Sequence, residues 1–152
     1  MIKLDAYEVS QSQNPIRERL FIAVQKYKVS YDTLQQVTGI EVLWLKEYIE
    51  NNRELYLLSH ETMTQLAEIA GLLVDGMQLV SEDERIKGVI DVLVQVFGIT
   101  FATLSLYTGI EEQEIRRFMS NPSQIDYEKK YKIATASMFL HYIFKPKESI
   151  NK

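Results

Sequence analysis

The sequence contains no cysteine, which removes disulfides and thiolate metal sites and fits a reducing cytoplasm. Its two histidines, His60 and His141, stand far apart. His60 opens a His-Glu-Thr-Met-Thr run without the second histidine of a zinc-protease helix. A first-turn surface role for His60 and a partly buried packing role for His141 are therefore expected. The six glycines form neither a P-loop nor a dinucleotide fingerprint. The carboxylates cluster at helix starts and on polar faces, where capping and solvation explain them. No catalytic constellation, metal site or cofactor motif emerges, so no enzyme is expected. Residues 88–107 are the most apolar stretch, but they hold Asp91, Gln95 and a Gly98-Ile99-Thr100 break. Two successive buried helices account for that stretch better than a membrane span does. The first residues, MIKLDAYEVSQSQNP, lack the apolar core of a signal peptide.

A surplus of basic charge is also missing. The formal net charge is −4, whereas duplex binders draw most of their affinity from neutralising phosphates. The charge is unevenly placed: residues 1–76 carry 7 basic and 11 acidic side chains, residues 77–152 carry 10 of each. A phosphate-facing surface is therefore expected in the second half. What the chain does have is enough core-forming residues, 46% hydrophobic, to bury a core without covalent staples.

The chain also contains an internal echo. Thr38-Gly39-Ile40-Glu41 recurs as Thr108-Gly109-Ile110-Glu111. At the same offset Gln25 meets Gln95, Thr33-Leu34 meets Thr103-Leu104, and Asn51 meets Asn121. These eight identities fall in a window of 30 pairs, where chance supplies about two. Conservative pairs such as Leu45/Ile115, Lys46/Arg116 and Tyr48/Phe118 extend the match, and after a short deletion it resumes at Leu58/Ile125. Two copies of one unit of about four helices are the reading, since fixed-period self-similarity is the mark of repetition.

Start signals place the helices. Asn14-Pro15 is a cap followed by a good first position, opening a helix with Ile16, Leu20, Ala23, Val24 and Tyr27 on one face. Ser30 caps a short helix to Val37, residues 41–51 form the third, and Ser59 caps a fourth that runs to about Val74, with Asp75-Gly76 ending the first unit. Ser81-Glu82-Asp83-Glu84 reads as a capping box. The helix after it is apolar on two sides, with Val89, Val92 and Val96 beside Ile86, Ile90 and Leu93, so burial between the units or in a dimer interface is expected.

The segment Thr33 to Ile49 resembles the lambda-repressor/Cro-like (XRE-type) helix-turn-helix family. Gly39 and Gly109 sit where the chain turns sharply, Ile40 and Ile110 plug the turn, and Leu34 and Leu104 come from the scaffold helix. Leu45 with Tyr48, and Ile115 with Phe118, form the buried stripe of the next helix. The resemblance covers nearly all of 16–144, counted twice. Two departures stand out: Gln35 occupies a place where the family prefers a small residue, as Ser105 does in the second copy, and both recognition helices begin at Glu.

The resemblance implies an all-α fold of two tandem four-helix units packed as one compact body. The expected division is an arm at 1–14, units at 15–77 and 81–145, and a tail at 146–152. It also implies a DNA-binding transcriptional regulator acting as a homodimer on double-stranded DNA. Gln113 and Arg117 would read bases, Arg116, Lys129 and Lys130 would hold phosphates, and Lys46 would be the contact in the first unit. Glu111, Glu112 and Glu114 oppose this by facing the backbone with like charge. In the first unit Val42, Leu43 and Trp44 are poor base readers and form an expected protein-contact patch, unless Trp44 packs between the units. A second function therefore stays open: a helix-turn-helix retained as a protein-interaction module without DNA binding.

Overall fold

Six of the helices begin where a side chain accepts a backbone amide left free by the first turn. In the computed structural model, which describes residues 14–146, Asn14 accepts from Arg17 N (3.2 Å) at the start of α1 (Pro15–Gln25). Ser30 does so for α2 (Tyr31–Thr38), Ser59 for α4 (His60–Gly71), Ser81 for α6 (Glu82–Gln95), Thr100 for α7 (Phe101–Thr108) and Asp126 for α9 (Tyr127–Phe144). Each such cap stabilises its helix by about 1 kcal/mol. Of the other three, α5 (Met77–Leu79) continues a π-helical turn from Gly76, while α3 (Val42–Glu50) and α8 (Glu112–Ser120) begin at Glu41 and Glu111, which make no side-chain cap bond. Every α-helix, π-turn and 3-10 turn belongs to an all-α fold, with no strand among the described residues. The expected arm at 1–14 and the tail at 146–152 fall, but for Asn14 and Pro146, outside those residues.

The chain forms two compact units that part between Val80 and Ser81. In the first, α1 packs on α3 and α4, and α2 on α3. Its core gathers Leu20, Leu34, Trp44, Leu45, Tyr48 and Leu66, all at or below 2% exposure. The fourth helix does not stop at Asp75-Gly76 as its composition suggests. Gly76 keeps right-handed helical geometry (φ −61°, ψ −40°), and a π-helical turn, Leu72–Gly76, carries the helix on into α5 (Met77–Leu79). Asp75 is drawn into an ion pair with Arg19 of α1 (2.7 Å) instead of ending the helix, and the break comes at Val80, which is extended.

In the second unit α9 packs on α6 and α7, and α7 on α8. Ile90, Leu93, Leu104, Ile115, Phe118 and Ile133 form its core. The second apolar side of α6 is divided: Val89 is half-buried and packs against that core, whereas Val92 and Val96 are exposed. Among the described residues no helix is long and apolar enough to cross a membrane.

The first unit carries a built-in alkaline sensitivity. Burial, followed by its bond to Glu50 (2.7 Å), pushes the Tyr31 phenol far above its ordinary value of 10.0. Burial also raises Tyr48, against the opposing effect of its hydrogen bond to Asn14. Groups whose folded-state values are raised stabilise the fold fully below the unfolded value and lose that contribution as pH climbs past it. Thermal stability should therefore fall above about pH 10, and Tyr31→Phe should flatten part of that fall. A melting series from pH 8 to 11 in which Tyr31→Phe tracks the wild type would contradict this.

Candidate nucleic-acid interface

Two helix-turn-helix corners are built from the same local chemistry. Gly39 closes α2 in the left-handed region (φ +71°), and its amide bonds to Gln35 O. Gly109 closes α7 at φ +69°, with its amide on Ser105 O. Only glycine adopts this conformation without a steric penalty from Cβ. The preceding threonine braces each corner: Thr38 Oγ1 donates to Leu34 O (2.6 Å) and accepts from Ile40 N (3.2 Å). Thr108 Oγ1 likewise donates to Leu104 O (2.8 Å) and accepts from Ile110 N (3.1 Å). Ile40 and Ile110 are buried beneath the turns.

The departure at Gln35 has a structural role. Its Oε1 accepts from Val42 N (3.0 Å), supplying the start of α3 with the acceptor that Glu41 does not provide. Ser105, at the corresponding place, instead donates to Ile110 O (2.6 Å). A long amide and a short hydroxyl thus tie the same corner at different points.

The face of α3 differs from expectation. Trp44 is not solvent-facing; it is 1% exposed. Its ring stacks on Tyr48 with centroids 4.8 Å apart, and its Nε1 donates to Tyr56 O (2.8 Å). The spacing Trp44-Leu45-Tyr48-Ile49 is an i, i+1, i+4, i+5 core stripe, which is the signal that assigns the indole to the interior of its own unit. The Val42-Leu43-Trp44 patch is accordingly reduced to Leu43, 62% exposed, beside a half-buried Val42. Lys46 is exposed, with Nζ 5.6 Å from the centre of the Tyr31 ring.

On α8, Gln113, Arg116 and Arg117 are all exposed. Arg116 folds back onto Glu112 through Nε (3.1 Å) and Nη2 (2.7 Å) and lies 4.4 Å over the Phe101 ring. Lys129 is held by Glu114, which raises the lysine above its ordinary value. Lys130 donates to Asp83 at 2.9 Å and is largely covered. Of the cations expected on this surface, the structure brings Arg116, Arg117 and Lys129 together around α8 while tying two of them to the first-turn acids. Lys130 is drawn to the start of α6. The sequence shows acids and bases close along α8, but the Asp83–Lys130 pairing joins residues 47 positions apart and has no local signal.

The turn geometry, the buried plugs and the exposed following helix are those of one known arrangement, and the profile of the helix-turn-helix domain matches residues 11–150. The chain belongs to the helix-turn-helix domain family. No curated protein and no solved structure matches it. In this helix-turn-helix protein both corners close on a left-handed glycine above a buried isoleucine.

Proposed function

We propose that this helix-turn-helix protein is a DNA-binding transcriptional regulator that acts as a homodimer, with α8 as its principal reading element. The observation that carries the reading is the pair Gln113 and Arg117, both exposed on the helix that follows the Gly109 turn. No ion pair engages Arg117 among the described residues. Gln and Arg are side chains suited to adenine and guanine edges in the major groove. Arg116 and Lys129 would exchange Glu112 and Glu114 for phosphates, with Lys46 and Lys130 as outer contacts. We read the two units, 15–77 and 81–145, as divergent tandem copies of a lambda-repressor/Cro-like fold. The shared turn sequence and the matching left-handed glycines support that.

The test is fluorescence anisotropy with labelled duplex DNA across a salt series. Binding at low salt that weakens steeply on salt addition is expected, because counterions are released on association. Arg117→Ala should weaken it by about tenfold or more, the cost of one lost base contact. No duplex binding at low salt would overturn the proposal.

One observation favours a second reading. Arg116, Lys129 and Lys130 are all engaged by acids of their own unit, so releasing them to phosphate costs existing pairs. In that reading the corners are kept as architecture and the protein binds another protein, with Leu43 and Val42 at the contact. Unchanged partner binding and oligomer mass on Leu43→Ser would count against it.

A further inference from the structure

The last helix, α9, is apolar on the side turned away from its own core. Ile133, Ser137 and Leu140 face inward. Tyr131, Met138, Phe139, Tyr142 and Ile143, with neighbouring Tyr107 of α7, are between 51% and 76% exposed. A shallow groove between α7 and α9 is lined by Tyr107, Phe139 and Ile143. At roughly 200 Å² for each large side chain, these six present about 750 Å². That exceeds the largest apolar patch of an ordinary monomer, roughly 300–600 Å². It matches the about 800 Å² that each partner contributes to a standard interface.

The order of residues along this side names the occupant. Glu128, Tyr131, Thr135, Met138 and Tyr142 follow one another at alternating steps of three and four, one stripe on a helix about 27 Å long. Lys145, which caps the C-terminal end of that helix, continues the spacing. Reversing the stripe about a two-fold axis between Thr135 and Met138 maps it onto itself. Glu128 then meets Lys145 at both ends, Tyr131 meets Tyr142, and Thr135 meets Met138. Isologous contacts require this self-complementarity. Glu128, although 3.4 Å from Lys132, keeps 80% of its side chain exposed. The Thr135 hydroxyl is satisfied within the helix by Tyr131 O (2.8 Å), so covering it leaves no unpaired donor.

We propose that a second copy of this chain docks on α9, antiparallel, through the stripe from Glu128 to Lys145. This rests on the homodimer of the functional reading and assigns its surface; it does not rest on DNA binding. The test is sedimentation equilibrium of the full chain at micromolar to sub-millimolar concentration, with duplex binding measured separately. The wild type should be a dimer, and Tyr142→Glu should raise its dissociation constant about a hundredfold or more, with helicity by circular dichroism preserved because the residue is exposed. Glu128→Lys alone and Lys145→Glu alone each place two like-charge contacts in the dimer and should weaken it about fivefold. The double variant should restore it, an outcome that loss of folding could not mimic. A monomeric wild type overturns the proposal. So does a dimer indifferent to Tyr142→Glu, which would place the homodimer on another surface and leave the DNA result standing or falling by itself.

Discussion

Trp44→Ala is expected to destabilise the first unit by about 3–5 kcal/mol, the cost of a large aromatic removed from a packed core. The loss has three sources in the structure. The indole is 1% exposed, so its removal leaves a cavity among Leu34, Leu45 and Tyr48 that neighbouring side chains fill only in part. Its stacking on Tyr48 disappears. Its Nε1 no longer pins Tyr56 O, and with it the segment between α3 and α4. Small units have little stability to spare, so a large fraction of first-unit molecules should be unfolded. Trp44→Phe separates the sources: the ring survives while the hydrogen bond is lost, and a cost of about 1–2 kcal/mol is expected. Urea denaturation followed by circular dichroism measures both. Because Trp44 is the sole tryptophan, its fluorescence in the wild type reports the first unit alone. A Trp44→Ala midpoint within error of the wild type would show that the indole is no core residue.

In the second unit, Phe118→Ala should cost about 3–5 kcal/mol for the same reason. Phe118 is the largest fully buried side chain there. The position corresponding to Trp44 is Glu114, whose carboxylate takes Lys129 at the surface. This unit thus replaces a core indole with a partly solvated ion pair, and its core leans more heavily on Phe118 and the aliphatic residues around it. Glu114→Gln should accordingly cost far less than Phe118→Ala, because exposed pairs contribute little. Amide exchange is the discriminating measurement. Phe118→Ala should remove protection across α7 and α8, and Glu114→Gln should leave most of it. Equal losses in the two variants would refute the assignment of Phe118 as the keystone.

Much of this was legible locally. Four caps, Asn14, Ser30, Ser59 and Ser81, were readable ahead of apolar periodicity, because the cap bond joins residues three apart, and the structure adds Thr100 and Asp126. The turn glycines were readable because positive φ excludes most side chains. Trp44 stayed open between a contact patch and interior packing because its residue type resembles an interface anchor, although the stripe with Leu45, Tyr48 and Ile49 already assigned it to the core of its own unit. The end of the fourth helix was misplaced for a different reason. Asp75-Gly76 is a sound stop signal, but Arg19, 56 positions away, competes for the aspartate.

The sequence by itself determined the all-α class, the two corners and the apolar plugs beneath them, since each depends on residues within one or two helical turns. Tertiary structure alone decided which charges remain available to a partner. Glu114 and Lys129 meet across the loop from α8 to α9, and Asp83 and Lys130 meet across the unit. It also decided that the aromatic side of α9 stays outside the core of its own unit. Helical periodicity marks both sides of α9 as apolar and cannot say which one the unit covers, because that choice is made by the packing of α6 and α7 against it.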